Sequence, residues 1–445
     1  MTAVVRAAAL ACALIAQTAA AEEITLREAV AEALSRHPSL VAANATRDEA
    51  AGRLAEAHAG WFPRAEAAAV STRSNNPVFV FGSLLEQGRF AQQHFDPAFL
   101  NDPAALRNDR LSVTIRYALF DQFRRLDSML QARNGVEQAS GGVDEASQRL
   151  RLDVMSRFFA LGLAHERLEV TRESVKASEA QAAAIREKLA EGLVVESDLL
   201  STEVQLAADR QQTIAAEGDL AIARAALAIA LQRPISADLS TASSTLESEL
   251  PEIELESAIA RGLERRGEMR GARLSRSNAD LQIRTARGAL LPRLDLYANW
   301  GASGSTFRHR NSDTTAGAVM SIDVFDGGKF ARVTQARAAA AAAHAATDLT
   351  RDRIKMEIIA AYHHTHSARE RVAVAARASE QAGAAAEMIH DRYENGLTTI
   401  TEHLRAQAAL LRARLDLLAA RYDYFTGYAE LLRSTGGLND VDLFS

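Results

Sequence analysis

"VFDGGKFARV", residues 324 to 333, reads as the end of an alternating strand that bends at two glycines into a long helix. Ahead of the bend, "AGAVMSIDVF" puts Ala316, Ala318, Met320, Ile322 and Val324 on one side, the period-two pattern of a two-faced strand. Behind it, no proline interrupts the chain as far as Glu394, and the few glycines are isolated. A helix over 328–394 at about 1.5 Å per residue would run roughly 100 Å. Asp326, Gly327 and Gly328 are the predicted strand-to-helix turn. Glycine is expected to supply a positive φ there and the aspartate to cap the helix, so branched residues at 327 and 328 should hinder assembly.

Upstream, "LFDQFRRLDS" (119–128) has the same form, and further landmarks recur in the same order. "AVAEALSRHPSL" (29–40) answers "AIARGLERRGEM" (258–269), and "GWFPRAEAAAV" answers "ALLPRLDLYAN". Pro63 and Pro292 lie 229 residues apart, as do Ala29 and Ala258. Phe120 and Phe325 lie 205 apart, so a gap near residues 71–110 absorbs the change of 24, and Gly192 and Gly396, 204 apart, keep that offset to within one residue. The chain is a duplication.

The sequence therefore predicts a first repeat over 22–235, a linker over 236–255, a second repeat over 256–436 and a tail over 437–445. Each repeat opens with a short amphipathic helix; in the first, "TLRE" (25–28) is a capping box. A second helix is expected to run up to Pro63 or Pro292, where proline ends it. Strands follow at about 64–73 and 111–120, and at about 293–302 and 316–325. Leu111, Val113, Ile115, Tyr117 and Leu119 share one side, as do Leu294, Leu296, Ala298, Trp300 and Ala302. Long helices are expected over about 122–191 and 328–394, each turning at a glycine and returning over about 197–232 and 400–435. Their alanine runs, "ARAAAAAAHAA" and "AVAARASEQAGAAAE", suit helices standing side by side in a wall one layer thick, since alanine lets backbones approach closely. An alanine-rich coiled coil fits those runs equally well but leaves the strands unexplained.

Strands of about ten residues are long enough to cross a bilayer when tilted, although a soluble two-faced sheet alternates in the same way. The first 21 residues decide between them. Arg6, the apolar "AAALACALIA" and the small "TAAA" form a secretory signal peptide, expected to be cut after Ala21. The one cysteine, Cys12, lies inside it; "ALAC" faintly resembles a lipoprotein site, but the apolar run continues past it. The exported part is then expected to hold no disulfide, thiol or cysteine metal site. A signal peptide, no membrane helix and hairpins with polar loops together fit an outer-membrane barrel better than a soluble sheet. Four strands cannot close a barrel whose smallest examples have about eight, so several chains must contribute. The net charge of −6 and the lack of any Lys/Arg run exclude nucleic acid as a partner.

The ordered set "TLREAVAEALSRHPSL", the two proline-led strands, "VFDGGKFARV", "EGLVVESDLL" and "ENGLTTITEHL" resembles the TolC family of outer-membrane efflux proteins over essentially the whole exported chain. The resemblance implies a mainly α fold with a β-barrel part. A homotrimer would form a twelve-stranded barrel in outer-membrane lipid, continued by a twelve-helix periplasmic tube. It implies a passive exit duct for tripartite efflux or type I secretion, served by a periplasmic adaptor protein and an inner-membrane pump. Residues near the linker and the C-terminal tail would form a belt around the tube. Carried onto this sequence, the adaptor-docking tip is Gly192, Leu193 and Val194 with Gly396, Leu397 and Thr398. The periplasmic gate is Asp198, Tyr393 and Glu402. Thr398 stands where some members carry arginine, and Arg405 replaces a second acid, so the latch and the cation-selective ring differ from the best-known members. Capping of the return helices is the alternative role for Asp198 and Glu402, and the two roles are compatible.

In "YHHTHS", His363 and His366 share a helical face with His364 beside it, but no acid or cysteine joins them at ligand spacing. They read as a solvated face, and no metal, cofactor or catalytic residue is assigned. The long loop over 74–109 should lie outside the cell, with Val78, Phe79, Val80, Phe81 and Phe95 packed into the barrel mouth or against a neighbour, or, as the plainer reading, within the loop itself. The main rival function is a periplasmic adaptor, which would carry one helical hairpin with flanking β-domains. An enzyme is a distant third reading, since the sequence shows no nucleophile–base pair or phosphate-binding glycine loop.

Overall fold

The structure, a computed structural model, describes residues 22–241, 250–306 and 310–438. The expected signal peptide with Cys12, the middle of the linker and most of the tail lie outside the described residues. The first half begins with β1 (Glu22–Glu23), α1 (Leu26–Arg36), α2 (Pro38–Ala59) and β2 (Arg64–Ser74). It continues with α3 (Pro77–Glu86), α4 (Pro97–Asn101), β3 (Leu106–Phe120), α5 (Arg124–Ala190) and α6 (Glu196–Ala230). After β4 (Leu239–Ser240) come α7 (Leu255–Arg265), α8 (Gly267–Gly288), β5 (Arg293–Gly304), β6 (Asn311–Ser321), α9 (Gly327–Glu394) and α10 (Ile400–Ser434). No helix among the described residues is long and apolar enough to cross a membrane.

Two compact units emerge. One, made of residues 47–139 and 272–347, holds an antiparallel sheet in the order β2-β3-β5-β6. The contact between β3 and β5 fuses the two hairpins. Leu111 opposes Ala302, Val113 opposes Trp300, Ile115 opposes Ala298 and Tyr117 opposes Leu296. Directly opposed residues share a face, so the two apolar sides form one continuous apolar surface. In the single chain that surface stays uncovered: Ile115 is 44% exposed, Trp300 43% and Met320 72%.

Strand ends differ from the expected ones because pairing partners set them. β6 runs over Asn311–Ser321, not 316–325, since β5 begins at Arg293 and that residue pairs with Ser321. Beyond it stands Pro292, which has no N–H to donate. Ile322, Val324 and Phe325 therefore leave the sheet, with Val324 94% exposed, although their alternation continues. β3 starts five residues earlier than 111 because β2 extends to Ser74, which pairs with Leu106. Nor do the prolines end the second helices directly: α2 stops at Ala59 and α8 at Gly288, leaving Pro63 and Pro292 to lead the strands.

The turn into the long helix also departs from expectation. Gly327 and Gly328 form the first turn of α9 and neither has a positive φ. Asp326 does cap: its Oδ1 accepts the Gly328 N–H at 2.8 Å, and Arg332 pairs with its other oxygen. The left-handed conformation appears instead in the first copy, at Gln122 (φ 65°) and Phe123 (φ 68°). Three contacts hold that turn. Asp121 accepts the Arg125 N–H at 2.9 Å, Gln122 donates to the Leu291 carbonyl, and Phe123 packs edge-on against Phe120 at 5.4 Å.

The loop over 74–109 is mostly ordered secondary structure. Asn76 caps α3 by accepting the Phe79 N–H at 3.1 Å, and α3 packs against β3, β5 and β6. Val80 and Leu84 are buried there, as expected of Val80, whereas Val78 (82%) and Phe95 (63%) remain exposed. For Val78 the difference follows helical periodicity, which turns it away when Val80 and Leu84 face inward; Phe95 lies beyond α3, edge-on to Phe90.

The second unit contains residues up to Thr46, Ser140–Gly271 and Asp348 onward. Its main core gathers Ala29, Val30 and Ala33 of α1 with Val154, Met155 and Phe159 of α5, Leu227 of α6 and Phe425 of α10. Phe159 and Phe425 meet edge-on at 5.6 Å. The capping box at Thr25 is formed, with Glu28 accepting the Thr25 N–H at 2.9 Å. β1 pairs in parallel with β4, so part of the 236–255 segment is tied to the start of the described chain. Arg233 reinforces that tie through Glu22 and Glu32, each at 2.7 Å, and its guanidinium holds the Glu32 carboxyl below the usual range. Small residues bring backbones together: a Cβ on Gly267 would lie 2.6 Å from the Gly141 carbonyl oxygen.

Candidate functional site: the turns between long and return helices

α5 and α9 end alike. Gly192 (φ 73°) donates to the Leu189 carbonyl at 3.0 Å, and Leu193 to that of Lys188 at 2.9 Å. Gly396 (φ 68°) donates to Tyr393 at 3.0 Å, and Leu397 to Arg392 at 2.8 Å. This is the Schellman arrangement, in which a left-handed residue lets two amides satisfy the last helical carbonyls. Glycine is favoured at both positions, because a Cβ at that φ costs about 1–2 kcal/mol unless surrounding contacts offset it. Leu193 and Leu397 are left 69% and 67% exposed, a pair of apolar tips beside the turns.

Between the turns lies a small apolar cluster. Ile185 of α5, Ile400 and Leu404 of α10 form its buried centre, with Val194, Leu199 and Tyr393 packed around them. Tyr393 stacks on His403 with centroids 5.3 Å apart and planes 9° from parallel, while the Lys188 ammonium stands 5.4 Å from its ring. Lys188 also pairs with Glu394 at 3.4 Å. Burial, then the negative charges of Asp198 and Glu394, push the Tyr393 phenol up, so it stays a neutral donor at neutral pH.

Asp198 and Tyr393 are thus close enough for charge to be felt, yet no hydrogen bond joins them within one chain. Asp198 is the third residue of α6, where Glu196 also adds negative charge near the helix N-terminus. Its side chain does not cap, for the capping position is Val195 and carries no side-chain bond. In α10 the cap is Thr399, which accepts the Glu402 N–H at 3.3 Å. The Glu402 carboxylate instead pairs with Arg405 at 3.1 Å.

One residue of this cluster escapes sequence reasoning. His403 is 1% exposed, packed between Tyr393 and His390, with neither ring nitrogen hydrogen-bonded. The available signal was its place in the apolar stripe Ile400, His403, Leu404, Leu411. The other histidines behave as a helix surface. His366 pairs with Glu370 at 3.5 Å and stacks on Tyr362, and among the described residues no group of three His, Cys, Asp or Glu side chains is placed to hold a metal.

The family described as outer membrane efflux protein matches residues 29–232 and 258–437, two segments that follow the internal repeat. Protein CyaE of Bordetella pertussis is 25% identical over 315 residues, spanning 69% of this chain and 66% of CyaE. The alkaline protease secretion protein AprF of Pseudomonas aeruginosa is 24% identical over 353 residues, spanning 75% of this chain and 70% of AprF. Among solved structures, the Campylobacter jejuni CmeC outer membrane channel superposes with a TM-score of 0.78 at 17% identity, covering 93% of this chain and 86% of CmeC.

Proposed function

The chain belongs to the outer membrane efflux protein family, and we propose that three copies of it form the exit duct of a tripartite efflux or type I secretion system. Its sheet carries the reading. Four strands leave β2 and β6 with open edges and an uncovered apolar face, a combination that a lone chain in water would aggregate through. Joining β6 of one copy to β2 of the next removes the edges, and three copies of four strands give a barrel of twelve. The apolar face then meets outer-membrane lipid.

The helical ends fit the periplasmic side. Leu193, Val194, Leu397 and Thr398, held by the glycine turns at 192 and 396, offer an adaptor protein the small apolar knobs on which to dock. Asp198, Tyr393 and Glu402 lie just behind them as the gate. An inner-membrane pump supplies the energy, and the duct itself is passive. Since AprF is named for protease secretion and CmeC as a channel, both exported proteins and small molecules are candidate cargo. An adaptor is disfavoured because two repeats each contribute a strand pair to one sheet, where an adaptor needs one hairpin.

Fractionation of the native host tests this directly. The full-length protein is expected in the sarkosyl-insoluble outer membrane. Recovery in the inner membrane or the soluble periplasm would overturn the duct reading.

A further inference from the structure

His403 occupies an unusual position behind the gate. Its ring nitrogens are covered by this chain itself and have no hydrogen-bond partner. Buried polar atoms without partners are rare in native proteins and ask for a reason. The ring is clamped on one side by Tyr393, at 5.3 Å, and touches His390, at 5.1 Å. It also borders a cleft of about 470 Å³ whose walls come from α5, α9 and α10.

We propose that His403 is a proton-operated wedge: in acid its ring takes up a proton, α10 parts from α9, and the tip loosens. The proposal rests on the gate assignment above and adds its regulation. A neutral imidazole tolerates an apolar slot, whereas an imidazolium there has lost its water and gains only the face of Tyr393 and the pull of a carboxylate that already has a partner. The surrounding charges decide whether anything compensates. On α9, His390 would repel the new charge and Glu394 would attract it, but Glu394 is already paired with Lys188 of α5. Asp198 of α6 acts on Tyr393, while the charges that act on His403 are those of His390 and Glu394. On α10 itself Glu402 is engaged by Arg405. Along the cleft, Glu173 is paired with Arg414 at 3.2 Å, and Glu387 makes no bond to the ring. Burial first, then His390, hold the packed His403 below the ordinary histidine value, with Glu394 opposing.

The sign follows from linkage. The packed tip binds the proton less readily than a loosened tip in which the ring meets water. Below about pH 6.5, each further unit shifts the balance toward the loosened form by up to about tenfold per chain, until the packed value is reached.

The full-length protein in planar bilayers provides the test, with the periplasmic-side pH stepped from about 7.5 to about 5. The readout is the ratio of mean conductance at the two ends. Wild type is expected to rise by at least about threefold, whereas His403→Phe and the more adaptable His403→Met should stay near unity. A flat wild-type response, or a rise that persists in both variants, would overturn the wedge. Asp198→Ala with Tyr393→Phe at about pH 7.5 separates the two ideas. Raised conductance there with a flat wild-type pH response sinks only the wedge, and unchanged conductance there sinks the gate.

Discussion

Replacing Asp198 by alanine together with Tyr393 by phenylalanine is expected to raise single-channel conductance and to admit large antibiotics such as vancomycin. Each residue lies next to a tip glycine, and each is held in place by a neighbour. Tyr393 is fixed by His403 and Lys188, and Asp198 by the first turn of α6. Within one chain they feel each other only through charge. In the proposed trimer three copies of each would approach one axis, and hydrogen bonds between adjacent hairpins would become available. If each copy loses about 1 kcal/mol, a typical net value for one such bond, three copies lose about 3 kcal/mol. That corresponds to roughly 150-fold in the balance between closed and open tips. The trimer's heat stability should hardly change, because the core around Phe159 and the sheet are untouched. Unchanged conductance would leave Asp198 as a helix-terminal charge and move the gate elsewhere.

The second large effect is expected at the strand-to-helix turn of the first repeat, not of the second. Gln122→Val with Phe123→Val puts β-branched residues at φ values of 65° and 68°. Branched side chains are true outliers there. The pair also loses the Gln122 bond to Leu291 and the Phe120–Phe123 contact. Together these cost about 2–4 kcal/mol per chain. Gly327→Val, by contrast, enters the first helical turn with nothing within 4 Å of the new Cβ, and should cost less than about 1 kcal/mol. Thermal dissociation of the detergent-solubilised assembly measures both. A larger drop for Gly327→Val would restore the glycine pair as the hinge and contradict the backbone described above.

That reversal shows where sequence reasoning stops. The repeat was legible because landmarks such as Pro63 and Pro292 recur in the same order, and the long helices because no proline interrupts the run from Gly328 to Glu394. The two glycine turns were legible because only glycine suits a positive φ without strain. The strand ends were not. Ile322 and Val324 continue the alternation of β6 but have no strand opposite them, and pairing partners are invisible in one stretch of sequence. Gln122 and Phe123 carry the left-handed conformation by virtue of surrounding contacts, which no local propensity announces. His403 falls in the stripe of α10 with Ile400 and Leu404, and nothing in that pattern sets it apart. Its meaning came only when Tyr393 and His390, from another helix, were found against it.

The central claim is that one chain is an incomplete barrel, made whole by two others. Native mass measurement of the detergent-extracted protein is the most direct test. The account predicts an assembly of three chains and no folded, membrane-inserted monomer. A stable single chain that conducts ions across a bilayer would contradict it.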